Sequence, residues 1–348
     1  DGYVCACELL KRGFRAAVYA CGGRLSADCE REKTKFGGTY AQTIGGDIIV
    51  DCIFGTGLSR EVTGEYADVI NAINASGAYV ISAYIPSGMS GDGGLKLGVA
   101  VRADKTVTIG ELKTGFALGD GYDLCGAVVK KDIGICLNEG GYACMYGDED
   151  IAKLFPPRPR NSHKGTFGTA TLICGSRQYT GSAVLAVAAA LRSGCGYVKA
   201  VCPDEVKAAI APNYPQTVFS VQRDLSSRAI AIGMGCGASQ SLHGDIESLL
   251  NEYSGTLIID ADGLNSLAQY GVEILKNKKC GVVLTPHVKE FSRISGRSIA
   301  EILANPVSVA KQFAAEYGVT VVLKSAGTVI TDGQNTVINT RGCSALAK

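Results

Sequence analysis

The sequence has 348 residues, room for two domains, with 46% hydrophobic and 19% charged residues and a formal net charge of +1. A chain this apolar does not stay disordered, and one without a basic surplus does not neutralise a phosphate backbone, so no nucleic-acid partner is expected. Its 45 glycines follow no Gly-X-Y period, which places them in turns and where backbone approaches a ligand.

Residues 15–20, 47–54, 78–85, 105–109 and 127–135 read as strands from their β-branched, apolar runs. Between them, 65–75 sets Val69, Ile70 and Ile73 on one helical face, and Gly77 ends that helix. This alternation predicts βαβ units and a parallel sheet. Residues 138–163 break it. They hold Gly140-Gly141, an acidic helix start at Asp148-Glu149-Asp150, and the proline cluster from Phe155 to Arg160, which neither helix nor sheet accommodates. The expected division is 1–140 and 148–348. Strands resume at 169–174, 197–202, 229–234, 256–261, 281–285 and 319–324, and the helix over 182–192 is apolar enough to predict burial.

The fourteen cysteines are scattered, with no C-x-x-C, so neither a disulfide framework nor a zinc site is expected. Cys174 and Cys202 sit in apolar runs as small core residues, which points to a reducing, cytoplasmic setting. No apolar run approaches the ~18 residues of a membrane span and no signal peptide opens the chain. Asp1 at one end and Ala347-Lys348 at the other read as cuts in a longer protein.

Several strand ends carry polar groups. Asp51 precedes Gly55-Thr56-Gly57-Leu58-Ser59-Arg60, a turn with backbone N–H groups free for a phosphate or sugar, or simply a βα turn. It is not G-x-G-x-x-G, so hydride transfer to a nicotinamide is not indicated. Ser87 ends the next strand in Ile85-Pro86-Ser87-Gly88. With Asp51 it makes a hard oxygen pair suited to a simple cation, or else an ordinary turn. In the second half Ser182 lies in a small-residue helix start, where it serves either a ligand or the helix cap. Gly235 lies in a close-approach loop. Asp260–Asn265 and Thr285–Glu290 place His287 and Glu290 at strand ends, and Lys324-Ser325-Ala326-Gly327-Thr328 offers a cation and small residues to a nucleotide phosphate. His163 and His243 read as incidental surface residues.

Taken together these strings resemble the family of fused NAD(P)H-hydrate repair enzymes, an epimerase domain followed by an ADP- or ATP-dependent dehydratase domain. The resemblance is carried by Asp1-Gly2-Tyr3-Val4, Phe54–Arg60, Ile85–Gly88 and Asp132–Ile135. It continues through His163-Lys164-Gly165, Tyr179–Ala183, Asp260–Asn265, Thr285–Glu290 with Arg293, Lys324–Thr328, and Asn339 through Gly342 to Leu346-Ala347.

The resemblance implies two three-layer α/β/α domains, the first a Rossmann-like parallel sheet and the second ribokinase-like. It implies epimerisation of R and S hydrates of NADH or NADPH by residues 1–140, and ADP-dependent dehydration of the S hydrate by 148–348, with magnesium. Asp51 and Ser87 would bind potassium, and Gly55 to Arg60 with Tyr84 the hydrate. In the second domain Ser182, Gly235, His287, Glu290 and Arg293 would bind hydrate, and Lys324, Ser325, Ala326, Gly327, Thr328, Asn339 and Gly342 the nucleotide. The partners implied are small molecules, with no membrane and a homo-oligomeric assembly.

Two departures qualify this picture. The family reads Asp-Ile-Pro-Ser-Gly where this sequence has Tyr84-Ile85-Pro86-Ser87-Gly88, and a phenol, unlike a carboxylate, is not ionised at pH 7, so the same base is missing. The family's Gly-x-Gly-Asp, source of the dehydratase base, would follow Lys348, so this chain alone is expected not to dehydrate. The competing readings are another ribokinase-like small-molecule kinase and a nucleotide-binding protein without catalysis.

Overall fold

Strands form where alternate residues are driven into a core, as in Lys105–Ile109, whose Thr106 and Thr108 are fully buried between less buried neighbours. The computed structural model describes residues 1–348 except 24, 135–142, 156, 344 and 346–348. Ile135, Gly140-Gly141, Pro156 and Leu346-Ala347-Lys348 of the sequence reading thus lie outside the described residues. The chain divides into two compact units, Asp1–Gly141 and Tyr142–Lys348.

The first unit runs α1 (Gly2–Lys11), β1 (Ala17–Val18), α2 (Ala27–Lys35), β2 (Thr39–Tyr40), β3 (Ile48–Asp51), α3 (Glu65–Ala75), β4 (Tyr79–Ala83), β5 (Lys105–Ile109), α4 (Gly121–Leu124) and β6 (Ala127–Lys131). β3-β4-β5-β6 form a parallel sheet in that order, and β1 and β2 a separate parallel pair. Helix α3 buries Val69, Ile70 and Ile73 against Val62, Val80 and Val101, and Gly77 then turns away at φ +69°. From β4 to β5 the chain crosses over without a helix, through a glycine-rich loop pinned by a bridge between Met89 and Lys96. Strand β6 stops at Lys131 rather than running on to 135.

The second unit runs α5 (Asp148–Lys153), β7 (Thr169–Ile173), α6 (Thr180–Arg192), β8 (Tyr197–Val201), α7 (Asp204–Ile210), β9 (Val218–Ser220), β10 (Ala229–Ile232), α8 (Gln240–Glu252) and β11 (Thr256–Ile259). It continues with α9 (Asp262–Tyr270), β12 (Gly281–Leu284), α10 (Val288–Ser295), α11 (Ile299–Ala304), α12 (Pro306–Tyr317), β13 (Thr320–Leu323), β14 (Thr328–Thr331) and β15 (Thr336–Asn339). Nine strands lie in the order β15-β14-β13-β12-β11-β10-β7-β8-β9. β13 to β9 are parallel, and β14 and β15 return antiparallel at one edge. The connections after β7 and after β10 leave in opposite directions, so a crevice opens between their C-terminal ends, the place where open α/β sheets bind ligands. Cys144 pairs with Val337 of β15, so this unit begins ahead of residue 148.

Helix α6 departs from the expected burial. Ala183, Val187 and Ala188 face the core while Leu185 is 73% exposed. The sheet covers one stripe of a helix, and an all-round apolar sequence cannot make it cover more. None of the described helices is long and apolar enough to cross a membrane.

Candidate functional site

At the end of β3, Asp51 is buried and its two oxygens accept four hydrogen bonds. Oδ1 takes the Ser87 hydroxyl at 2.6 Å and the Ile53 N–H at 3.2 Å, and Oδ2 the Ser82 hydroxyl and the Ser87 N–H, both at 2.8 Å. Ser87 Oγ in turn accepts the Phe54 N–H at 2.8 Å. β3 and β4 are parallel neighbours with Asp51 opposite Ser82, which brings Asp51 and Ser87 together as the sequence reading expected.

These residues do not fit potassium as they stand. A carboxylate offers about four lone-pair positions, and protein donors occupy all of Asp51's, while Ser87 Oγ is both donating and accepting. Asp51 is a clamp that fastens the 52–54 turn to Ser87, and no chemical step is assigned to an ion there.

Burial pushes the Asp51 carboxyl above its usual range, against the pull of its hydrogen bonds from Ser87, Ser82 and Ile53. An acid raised by folding contributes stability that is full below the unfolded value of ~3.9 and is lost as pH rises through the folded value. Asn in its place cannot accept from both backbone N–H groups, and an unmet buried donor costs about 1–3 kcal/mol. Asp51→Asn is therefore expected to destabilise the first unit by that amount at pH 5, and the gap to wild type should narrow towards pH 8. Hydrogen exchange of the β3 and β4 amides measures it. A gap that widens with pH would reverse the sign of the argument.

Tyr84 follows β4 at φ +76°, one of two described non-glycine residues with positive φ. Its ring lies against Gly55, leaving a Cβ there at 3.5 Å, and the Lys113 ammonium stands 3.9 Å from the ring centroid. Lys113 is held in place by hydrogen bonds to Thr108 Oγ1, Ile109 O and Glu111 O. Gly55, Thr56, Gly57, Ser59 and Arg60 are exposed and Leu58 half-buried, so the turn presents its backbone beside an aromatic face rather than a carboxylate. The sequence reading missed Lys113, a single lysine in a loop with no local signal.

In the second unit the strand ends assemble a second cluster. His287 caps α10: its Nδ1 accepts from the N–H groups of Lys289 at 3.1 Å and Glu290 at 3.2 Å. Glu290, buried, accepts the His287 N–H at 2.8 Å and lies 3.4 Å from His287 Nε2. The pair forms a reciprocal cap, so Glu290 fixes His287 in place. A backbone bridge joins His287 to Lys324, whose ammonium donates to Asp260 Oδ1 at 3.1 Å. Thr328 opens β14 opposite Asn339, the last residue of β15, and Gly342 follows at φ +127°. Ser325 and Ala326 are exposed between them and Gly327 is buried. His287, Lys324 to Thr328 and Asn339 thus stand on consecutive strand ends. Asp260, whose Oδ1 accepts from Lys324, sets the direction of that ammonium.

Arg293, one turn further along α10, donates to Asn265 Oδ1 at 2.7 Å. Three strand positions from Lys324, ~14 Å across the sheet, Gly235 takes φ +70° against Ser182 and Tyr179. The Ser182 hydroxyl donates to Tyr179 O at 2.7 Å and Met234 O at 3.3 Å, so it ties α6 to this loop and does not cap the helix. Asp262 accepts the Gly237 N–H at 2.8 Å and steadies the same loop. His163 and His243 are structural: His163 Nδ1 accepts the Gly165 N–H, and His243 Nε2 meets Gly271 O at 2.9 Å.

Residues 170–348 match the family model described as NAD(P)H-hydrate dehydratase, and residues 1–115 the model described as YjeF-related protein N-terminus. A bifunctional NAD(P)H-hydrate repair enzyme of Moorella thermoacetica is 30% identical across 100% of this chain and 73% of its own length. The chain belongs to the NAD(P)H-hydrate repair family. The enzyme of the same description from Thermofilum pendens is 35% identical over 86% of this chain and 61% of its own length, and the chain spans 57% and 58% of the relatives from Salinibacter ruber and Hyperthermus butylicus. Among solved structures, the ADP/ATP-dependent NAD(P)H-hydrate dehydratase of Bacillus subtilis, co-crystallised with ATP and magnesium, is 31% identical with a TM-score of 0.54. That match covers 59% of this chain and 76% of that one. For a repair-family member, the second unit is thus a parallel-sheet domain of the dehydratase type.

Proposed function

We propose that the second unit dehydrates the S hydrate of NADH or NADPH at the expense of ADP or ATP, with the nucleotide phosphates beside Lys324 and the hydrate between His287 and Gly235. The carrying observation is the row of strand ends that sets His287, Lys324 to Thr328 and Asn339 side by side on the same sheet, with β11 and β10 between them and the crevice at β7. One ammonium and one carboxylate, Lys324 and Asp260, fit a phosphate and a magnesium ion.

The chemistry follows from the hydrate. Its C6 hydroxyl is a poor leaving group. Transfer of a phosphoryl group to that oxygen lets the ring nitrogen's lone pair expel phosphate and form the N1=C6 iminium. Loss of a C5 proton then restores the C5=C6 double bond. Lys324 carries charge against the phosphate oxygens, Glu290 holds His287 in one orientation, and Arg293, placed by Asn265, offers a second cation at the mouth.

For the first unit we propose binding of the hydrate at Gly55 to Arg60, with Tyr84 as an aromatic wall and no epimerising base at that position. A homo-oligomeric state and a cytoplasmic location stay proposals from the resemblance.

The test is turnover of synthetic R and S hydrates by the full-length gene product with ADP and magnesium. The S hydrate should be consumed in a nucleotide-dependent way, and the R hydrate no faster than its spontaneous conversion. Nucleotide-dependent phosphorylation of an unrelated alcohol, with the S hydrate untouched, would replace this reading by that of a small-molecule kinase.

A further inference from the structure

Across the C-terminal ends of β7, β8 and β9, with Cys236 of the loop after β10 on its near side, lies an open pocket of about 420 Å³, within the size range of small-molecule sites. Three thiols line it, Cys174 and Cys202 just past the ends of β7 and β8 and Cys236 in the loop after β10, and Val221, past the end of β9, stands at its edge, 87% exposed. Burial raises all three thiols, Cys174 to about 12 and Cys236 to about 11, so they stay neutral at pH 7 and present soft, apolar surface. Among the described residues no group of three or more His, Cys, Asp or Glu side chains is arranged to hold a metal ion. The charged lining comes from one place, the first turn of α7, where Lys207 donates to Asp204 at 2.7 Å. Asp204's side chain is 91% exposed and Lys207's 29%.

Cys236 adjoins Gly235, so the cavity opens beside the place proposed for the hydrate. From β11, midway between His287 and Gly235, to β8 is three strand spacings, ~14 Å, a span that a pyrophosphate-linked dinucleotide bridges. The apolar part of this open pocket, from Ile173, Val201 and the thiols, suits the flat face of a purine. A carboxylate at its rim accepts from the hydroxyl pair of a ribose, and an ammonium there pairs with a phosphate on that ribose.

Resting on the dehydratase reading, we infer that this thiol-lined cavity takes the adenosine end of the hydrated dinucleotide, and that Lys207, exchanging its bond to Asp204 for the ribose 2′-phosphate, sets a preference for the phosphorylated form.

The probes are adenosine 2′,5′-bisphosphate and AMP, titrated by calorimetry into the full chain with ADP and magnesium saturating the Lys324 site. The bisphosphate should bind about tenfold tighter than AMP, a difference equal to one charge-assisted contact. Lys207→Ala should abolish that difference and leave AMP unchanged. Cys202→Phe, which fills the cavity, should abolish both, with ADP binding intact in each variant. Equal binding of the two probes by the wild type, or an undiminished preference in Lys207→Ala, overturns the inference. ADP binding without either probe binding sinks this subsite alone, whereas probe binding with no turnover of the S hydrate by the full-length gene product sinks the dehydratase reading and leaves the subsite standing.

Discussion

Gly233→Ala is expected to cost the second unit about 2–6 kcal/mol, from ~1–3 of backbone strain and ~1–3 of overpacking. Gly233 ends β10 at φ +114°, and a Cβ there runs into the Asp260 carbonyl oxygen and the backbone of Gly263. Neither can withdraw. The Asp260 N–H is bonded to Ile232 O, and the Asp262 N–H to Gly233 O itself. With total stabilities of about 5–15 kcal/mol per domain, such a loss takes the unit close to unfolding. It also displaces Asp260, and with it the partner of Lys324. Urea unfolding followed by circular dichroism measures it, since the chain has no Trp. A midpoint unchanged within ~0.3 M, at m values of ~1–3 kcal/mol/M, would mean that the β10–α9 junction yields more than this packing allows.

Lys324→Ala is expected to weaken ADP binding about 10–100-fold, since a hydrogen bond to a charged group is worth ~1.5–3 kcal/mol. The same change should alter stability little, because the Lys324–Asp260 pair is partly exposed, 45% and 29% by side chain, and exposed pairs contribute ~0–1 kcal/mol. That split separates a ligand-binding role from a structural one. Calorimetry with ADP and magnesium reads the first and thermal unfolding the second. Unchanged affinity removes Lys324 from the nucleotide site. Lost stability with unchanged affinity would make it a strut between β11 and β13.

The local elements were written plainly in the residues. The helix over 65–75 and the strand over 105–109 were read with their observed bounds, because periodic burial along a short segment is all that fixes them. The polar strand ends were legible for the same reason: Asp51, His287 and Lys324 each stand where an apolar run stops. Their roles were less so. Glu290 also caps α10 through His287, and Ser182 also ties α6 to the Gly235 loop. Both serve backbone groups that only the folded neighbours bring within reach.

By itself the sequence determined the class of fold, the two-part organisation, and the family to which the chain belongs, since motif order along the chain carries all three. Tertiary structure alone decided which strand ends meet. Asp51 and Ser87, 36 residues apart, close on each other and leave Asp51 no lone pair for an ion. Asp260 and Lys324, 64 residues apart, pair across β12. Three cysteines past the ends of separate strands line one cavity. Strand order sets these meetings, and it follows from packing helices over a twisted sheet, so no local period in the sequence encodes it.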